Sequence, residues 1–179
     1  MKALLVNGSP RKGNTYAALS AIEEGLRSAG GVEIDNIVLQ DQKIAPCMAC
    51  DACRGNGGNC VIGDDGNDLI EKLYHADILV LGSPVYWWGV TAQLKLFLDR
   101  MYSKGEGKLT NKKLGIVITG GDGLQNVQYD LISGQLRAIA KYLDWEVVFE
   151  KRYSAYATDE IAGDEAKIAE LTELGKRLK

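Results

Sequence analysis

Five short runs rich in Val, Ile and Leu recur along this chain of 179 residues. They fall at about 2–7, 32–39, 77–82, 113–119 and 145–151, with helical apolar spacing between them at about 14–29, 66–75, 92–103, 125–143 and 160–178. Strands that are nearly all apolar, rather than alternating, are covered on both faces. Such strands belong to a parallel sheet whose crossovers are helices. The last helical stretch carries Ile168, Leu171 and Leu178 on one side, with Asp164 and Glu165 near its start. The length suits one domain over residues 1–179, with a cysteine-rich loop at about 41–65. Five strands predict a doubly wound α/β sheet in the order 2-1-3-4-5. The order reverses between strands 1 and 3, so a ligand is expected over their carboxyl ends.

Composition removes several classes of function. At 46% hydrophobic and 25% charged, with a net charge of −3, the chain offers no basic surface for nucleic acid or anionic membrane. No run approaches the ~18 apolar residues of a membrane span. The first residues contain one lysine and too short an apolar stretch for a secretory signal. A cytoplasmic protein is expected.

Three unusual stretches stand at the carboxyl ends of the predicted strands. The first, "NGSPRKGNT" at 7–15, reads G-x-x-x-x-G-N-T from Gly8 to Thr15. That is the spacing of a nucleoside-triphosphate P-loop with Asn14 where the lysine belongs, which argues against a kinase or ATPase. Ser9, Arg11, Asn14 and Thr15 still suit a phosphate held at a helix N-terminus. A turn capped by Ser9 or Asn14 is the plainer alternative. The second, "GSPVYWWG" at 82–89, groups Tyr86, Trp87 and Trp88 after Pro84. Three aromatics in a loop must cover something, either a flat heteroaromatic ring or a subunit interface. The third, "TGGDG" at 119–123, lets backbone N–H groups come close to a ligand edge. A monophosphate site, an aromatic wall and backbone donors together describe one molecule, FMN.

On "GSPRKGNT", "GSPVYWWG" and "LKLFLDR" (94–100), the chain resembles the NADPH-dependent FMN reductase and iron–sulfur flavoprotein superfamily over about residues 1–152. The resemblance implies a flavodoxin-like fold. It also implies that the FMN phosphate lies on Ser9, Arg11, Asn14 and Thr15, and the isoalloxazine on Pro84, Val85, Tyr86 and Trp87. The ring edge would then meet Thr119, Gly120 and Gly121. Lys95 and Asp99, within the third motif, have the spacing of an exposed helical ion pair.

All four cysteines lie in a C-x₂-C-x₂-C-x₆-C run, Cys47, Cys50, Cys53 and Cys60, with only Gly, Asn and Arg from Arg54 to Asn59. The run can present thiolates to the corners of a 4Fe–4S cluster. Reduced thiols or a redox disulfide, and then zinc, are the alternatives; zinc usually draws its ligands as separated pairs. The resemblance favours the cluster, since a compact cysteine motif of this form marks the iron–sulfur flavoproteins.

Rival classes fare worse. A response-regulator receiver needs acidic residues after strands 1 and 3, where this chain has Asn7-Gly8-Ser9 and Gly82-Ser83-Pro84. A hydrolase needs a histidine base, and the one histidine, His75, is expected to close a helix. The expectation is therefore an FMN-dependent oxidoreductase in which the flavin carries the chemistry and no side chain need act as acid or base. A flavodoxin-like electron carrier is the alternative. The electron donor would be NAD(P)H, as co-substrate, or ferredoxin; the acceptor would be a small molecule such as a quinone, flavin or oxygen species. No G-x-G-x-x-G fingerprint is present, and none is needed where nicotinamide stacks on FMN. The aromatic loop predicts a homodimer or homotetramer.

Overall fold

A computed structural model describes residues 1–105 and 107–179. In chain order the elements are β1 (Lys2–Asn7), α1 (Asn14–Ala29), β2 (Glu33–Val38), a short α2 (Ala52–Gly55) and α3 (Asp65–His75). There follow β3 (Ile78–Pro84), α4 (Ala92–Arg100), β4 (Lys113–Gly120), α5 (Val127–Tyr142), β5 (Glu146–Ser154) and α6 (Glu165–Arg177). The strands form one sheet in the order β2-β1-β3-β4-β5, and every pairing is parallel. This is the flavodoxin-like order expected from the sequence.

Successive strand residues face opposite sides of the sheet, and each side has its own apolar layer. Leu4, Val6, Leu79, Leu81, Ile116 and Ile118 pack beneath Leu73 of α3, Phe97 of α4 and Leu136 of α5. Ala3, Leu5, Val80 and Val117 pack on the other face against Leu19 and Ile22 of α1 and Leu171 of α6. The two helices of that second layer touch at glycines. A Cβ on Gly25 would lie 2.0 Å from the Thr172 carbonyl oxygen, and one on Gly175 would lie 2.2 Å from that of Ile22. Only hydrogen lets the two backbones come this close.

Side-chain caps set where the helices begin. Thr91, Asn126 and Asp164 accept the N–H groups of Leu94, Gln128 and Lys167, starting α4, α5 and α6. The Asp164 cap is why α6 begins at Glu165, later than the apolar spacing suggests, and residues 155–163 form turns instead. α4 ends at Arg100, where a 3₁₀ turn over Met101–Lys104 takes over. β3 and β5 run past their expected ends because their last residues pair with β4, Pro84 opposite Thr119 and Ser154 opposite Gly120. Such pairing is between distant segments and leaves no local signal. Among the described residues, no helix is long and apolar enough to cross a membrane.

Candidate functional site

The three loops meet in one cleft above the carboxyl ends of β1, β3 and β4, where the strand order reverses. Ser9, Arg11, Asn14, Thr15, Pro84, Val85, Tyr86, Thr119, Gly120 and Gly121 all line it, around a cavity of about 190 Å³.

The phosphate end is built from β1 outward. Asn7 Oδ1 accepts the Ser9 N–H at 2.9 Å, turning the chain sharply at the strand's end. The Gly8 N–H donates to the Gly82 carbonyl at 2.8 Å. Its own carbonyl accepts the Thr91 hydroxyl at 2.7 Å, so the start of α4 braces the loop. The first residue outside α1 is Gly13, and no side chain caps that helix. Its first N–H groups therefore have no partner within the helix and present the positive end of the dipole to the cleft, an arrangement that suits a phosphate. Ser9 closes a turn of its own, its Oγ donating to the Arg11 carbonyl at 2.8 Å and accepting the Arg11 N–H at 3.3 Å. The Thr15 and Thr119 hydroxyls, both buried, share a hydrogen bond of 2.8 Å that joins the first loop to the third.

Asn14 has a different employment from the one its position suggests. Its Nδ2 donates to the Ala157 carbonyl at 2.6 Å and its Oδ1 accepts the Ile161 N–H at 2.9 Å. The side chain thus ties the 155–163 segment across the cleft, and Ala155 and Tyr156 join the lining. These two residues escaped the sequence reading because nothing local marks them. The Ala155 N–H extends the β4–β5 ladder by donating to the Gly120 carbonyl at 2.7 Å, which sets Tyr156 beside Gly121. On the far side, Tyr129 Oη donates to the Asp122 carbonyl at 2.7 Å and holds the glycine loop in place. Burial, and then the Asp122 charge, push the Tyr129 hydroxyl pKa up, which keeps it a donor.

The aromatic loop divides. Tyr86 lines the cleft, but Trp87 does not and is 91% exposed. Tyr86 and Gly89 exchange both backbone hydrogen bonds, at 2.9 and 3.0 Å. Trp87 and Trp88 between them have φ of 45° and 63°, a two-residue hairpin of type I′. That turn favours Asn-Gly, so two tryptophans occupy it at a cost in strain. Their rings meet edge to face at 5.3 Å.

The four cysteines surround a separate cavity, with Arg100 and Tyr102 behind them. Cys47 and Cys50 are exposed, Cys60 is half-buried and Cys53 is buried; none is in a disulfide. Ala49 and Asp51 hold left-handed conformations, φ 53° and 55°, on either side of Cys50. Among the described residues, no three His, Cys, Asp or Glu side chains converge on one metal ion. Asp64 steadies this loop: its carboxylate accepts the Ala45 N–H at 2.7 Å and the Gly66 N–H at 3.0 Å. Burial would raise its pKa, but the hydrogen bonds from Arg100, Ala45 and Gly66 outweigh that and hold it below the ordinary value.

Of the remaining residues singled out in the sequence, Asp99 lies at the wall of the cysteine cavity, while Lys95 and His75 line neither site. Lys95 and Asp99 form the exposed ion pair at 2.5 Å. His75 ends α3, its Nε2 3.0 Å from Glu71 Oε1.

Comparison with known proteins accords with this geometry. A flavodoxin from the domain Archaea superposes with a TM-score of 0.61 over 99% of this chain and 96% of its own, at 17% identity, a likeness of fold alone. An iron-sulfur flavoprotein of Methanocaldococcus jannaschii is 41% identical over 126 residues, 67% of this chain and 62% of that protein. Another, of Methanosarcina thermophila, is 32% identical over 146 residues, 81% of this chain and 72% of that protein. The chain thus spans a little under two thirds of the Methanocaldococcus protein. The family described as NADPH-dependent FMN reductase matches residues 1–154. That match runs from β1 to the last residue of β5 and takes in all three loops of the cleft. The chain belongs to the NADPH-dependent FMN reductase family.

Proposed function

We propose that this protein is an FMN-dependent oxidoreductase that passes electrons from NAD(P)H or ferredoxin to a small acceptor such as a quinone, a flavin or an oxygen species. One observation carries the reading: an uncapped helix N-terminus, a tyrosine-lined wall and a glycine edge open into one cleft at the switch point of the sheet. FMN, when bound, supplies the redox chemistry, and a 4Fe–4S cluster supplies single-electron steps. The chain's part is to bind and orient. The N–H groups of Asn14, Thr15 and Tyr16 and the Arg11 guanidinium hold the phosphate. Pro84, Val85 and Tyr86 form one wall for the ring, and Thr119, Gly120 and Gly121 meet its edge. Cys47, Cys50, Cys53 and Cys60 are the cluster ligands, supported by the names of the archaeal relatives and by the one cavity that all four line.

The exposed Trp87 and Trp88 support self-association into a homodimer or homotetramer, with the hairpin at the contact. The cellular setting we propose is the cytoplasm, where the four thiols stay reduced until loaded.

Anaerobic purification followed by FMN titration tests the central reading. FMN should bind in preference to FAD and ATP. Arg11→Ala should weaken FMN by about 1.5–3 kcal/mol, the worth of a charge-assisted bond. Tight ATP binding with no flavin affinity would refute the reading.

A further inference from the structure

Among the described residues Arg100 is the largest fully buried side chain, and it is 1% exposed. It ends α4 directly behind the cysteine loop. Nη1 donates to both oxygens of Asp64, at 2.8 and 2.7 Å, and to the Ala45 carbonyl at 3.3 Å. Nη2 donates to Asn67 Oδ1 at 2.9 Å and to the Ile62 carbonyl at 3.5 Å. Ala45 lies just before Cys47 and Ile62 just after Cys60, so one guanidinium fastens both ends of the loop. Gly66 leaves room for it, since a Cβ there would lie 2.9 Å from the guanidinium carbon.

One donor of this group is left over. Arg100 Nε is buried and has no hydrogen-bond partner among the described residues. Buried donors are nearly always satisfied, and one that is not asks for an explanation. The same side chain lines the cavity bounded by Cys47, Cys50, Cys53 and Cys60, whose sulfurs are among its acceptors together with Asp51 and Asp99. Every other N–H direction of the guanidinium is spent on the loop backbone, Asp64 and Asn67. The ion pair with Asp64 fixes the plane of the group, and with it the direction of Nε.

We infer that Arg100 is a positioning and tuning residue for the cysteine site, its Nε–H donating to a cysteine sulfur when the cluster is in place. The inference rests on the cluster reading above. A hydrogen bond to a ligand sulfur favours the more negative, reduced state, and so raises the reduction potential. Arg100 thereby links the fold of the loop to the ease with which the cluster accepts an electron.

Two variants separate the Nε donor from the charge. Arg100→Lys keeps a cation beside Asp64 but has carbon where Nε stood. Arg100→Gln together with Asp64→Asn keeps a donor nitrogen bonded to Cδ, as Nε is, and leaves no buried carboxylate unpaired. Each protein is reconstituted anaerobically, its iron counted and its FMN affinity measured to verify folding; the cluster's midpoint potential is then determined by redox titration. The Lys variant should bind FMN as the wild type does, hold the same iron and titrate at a lower potential. The double variant should titrate close to the wild type. If the Lys variant does not fold, Arg100→Met with Asp64→Asn, equally neutral but without the donor, should titrate lower than the double variant, and an equal potential would overturn the inference. An unmoved potential in iron-loaded Arg100→Lys would overturn the inference and leave Arg100 a clamp. So would a double variant shifted as far as the Lys variant. A wild-type protein that takes up no iron would overturn the cluster reading as well, a result distinct from either.

Discussion

Asn14 and Ile161 are hydrogen-bonded, the Ile161 N–H donating to Asn14 Oδ1 at 2.9 Å across 147 positions of sequence. With the bond from Asn14 Nδ2 to the Ala157 carbonyl, the first residue of α1 becomes the anchor of a strap over the cleft. The phosphate end and the strap are therefore coupled. Whatever orders the start of α1 also orders Tyr156, which rides on the strap beside Gly121.

Replacing Asn14 with Ala removes both bonds. The expected loss is about 1–3 kcal/mol of stability, because the Ile161 N–H is left buried without a partner. Urea unfolding measures the loss. Limited proteolysis should find new cleavage between 155 and 163 before the rest of the chain is cut. Tyr156→Ala leaves the strap pinned and tests the ring alone: FMN affinity should fall by about 0.5–1.5 kcal/mol, the worth of an aromatic contact, and Tyr156→Phe should restore it.

The contact between α1 and α6 tolerates no added carbon. Gly25→Ala would raise helix propensity, yet its Cβ meets the Thr172 carbonyl at 2.0 Å. The clash should win, lowering stability by about 1–3 kcal/mol through overpacking. A thermal melt that rises instead would mean that the helices separate without penalty.

Acid should loosen the cysteine loop. Asp64 has its folded pKa below its unfolded one, so its contribution is present above the unfolded value, about 3.9 for an aspartate, and is lost as pH falls through the folded value. The protection of the Ala45 and Gly66 amides against exchange, relative to their intrinsic rates and followed from pH 6 downward, should therefore fall only below about pH 4. Asp64→Ala strands the Arg100 charge and should cost about 3–5 kcal/mol at neutral pH.

The Trp87-Trp88 hairpin gives a prediction with two readouts. Trp87→Asn with Trp88→Gly supplies the residues that a type I′ turn prefers, so the turn's strain should fall by about 1–2 kcal/mol. The monomer fold should be kept, and light scattering should find the variant smaller than the wild type. A wild type that is monomeric at micromolar concentration with flavin bound would remove the interface from the proposal.

Much of this molecule was settled by local sequence. The runs of β1, β3 and β4 are apolar on both faces, and the helices between the strands have one apolar side, so a parallel sheet with two covering layers was legible without coordinates. The carboxyl-end location of the cleft follows from the strand order, and glycine, serine and threonine at the ends of strands 1 and 4 mark what the cleft can hold. Only the tertiary structure could decide the rest, because it depends on contacts between distant segments. Thr15 meets Thr119, and Asn14 turns from the cleft to residues 157 and 161. Tyr156 takes its place from one ladder bond past the end of β5. Trp87 and Trp88 read as a ring wall or a subunit interface, and a backbone turn set by Tyr86 and Gly89 sends Trp87 outward. Arg100, the last residue of a helix motif, became the clamp of the cysteine loop because α4 ends behind it. Periodicity reports which face of an element is buried; it carries no information about which partner a buried polar group finds, since that is fixed only when the whole chain has closed.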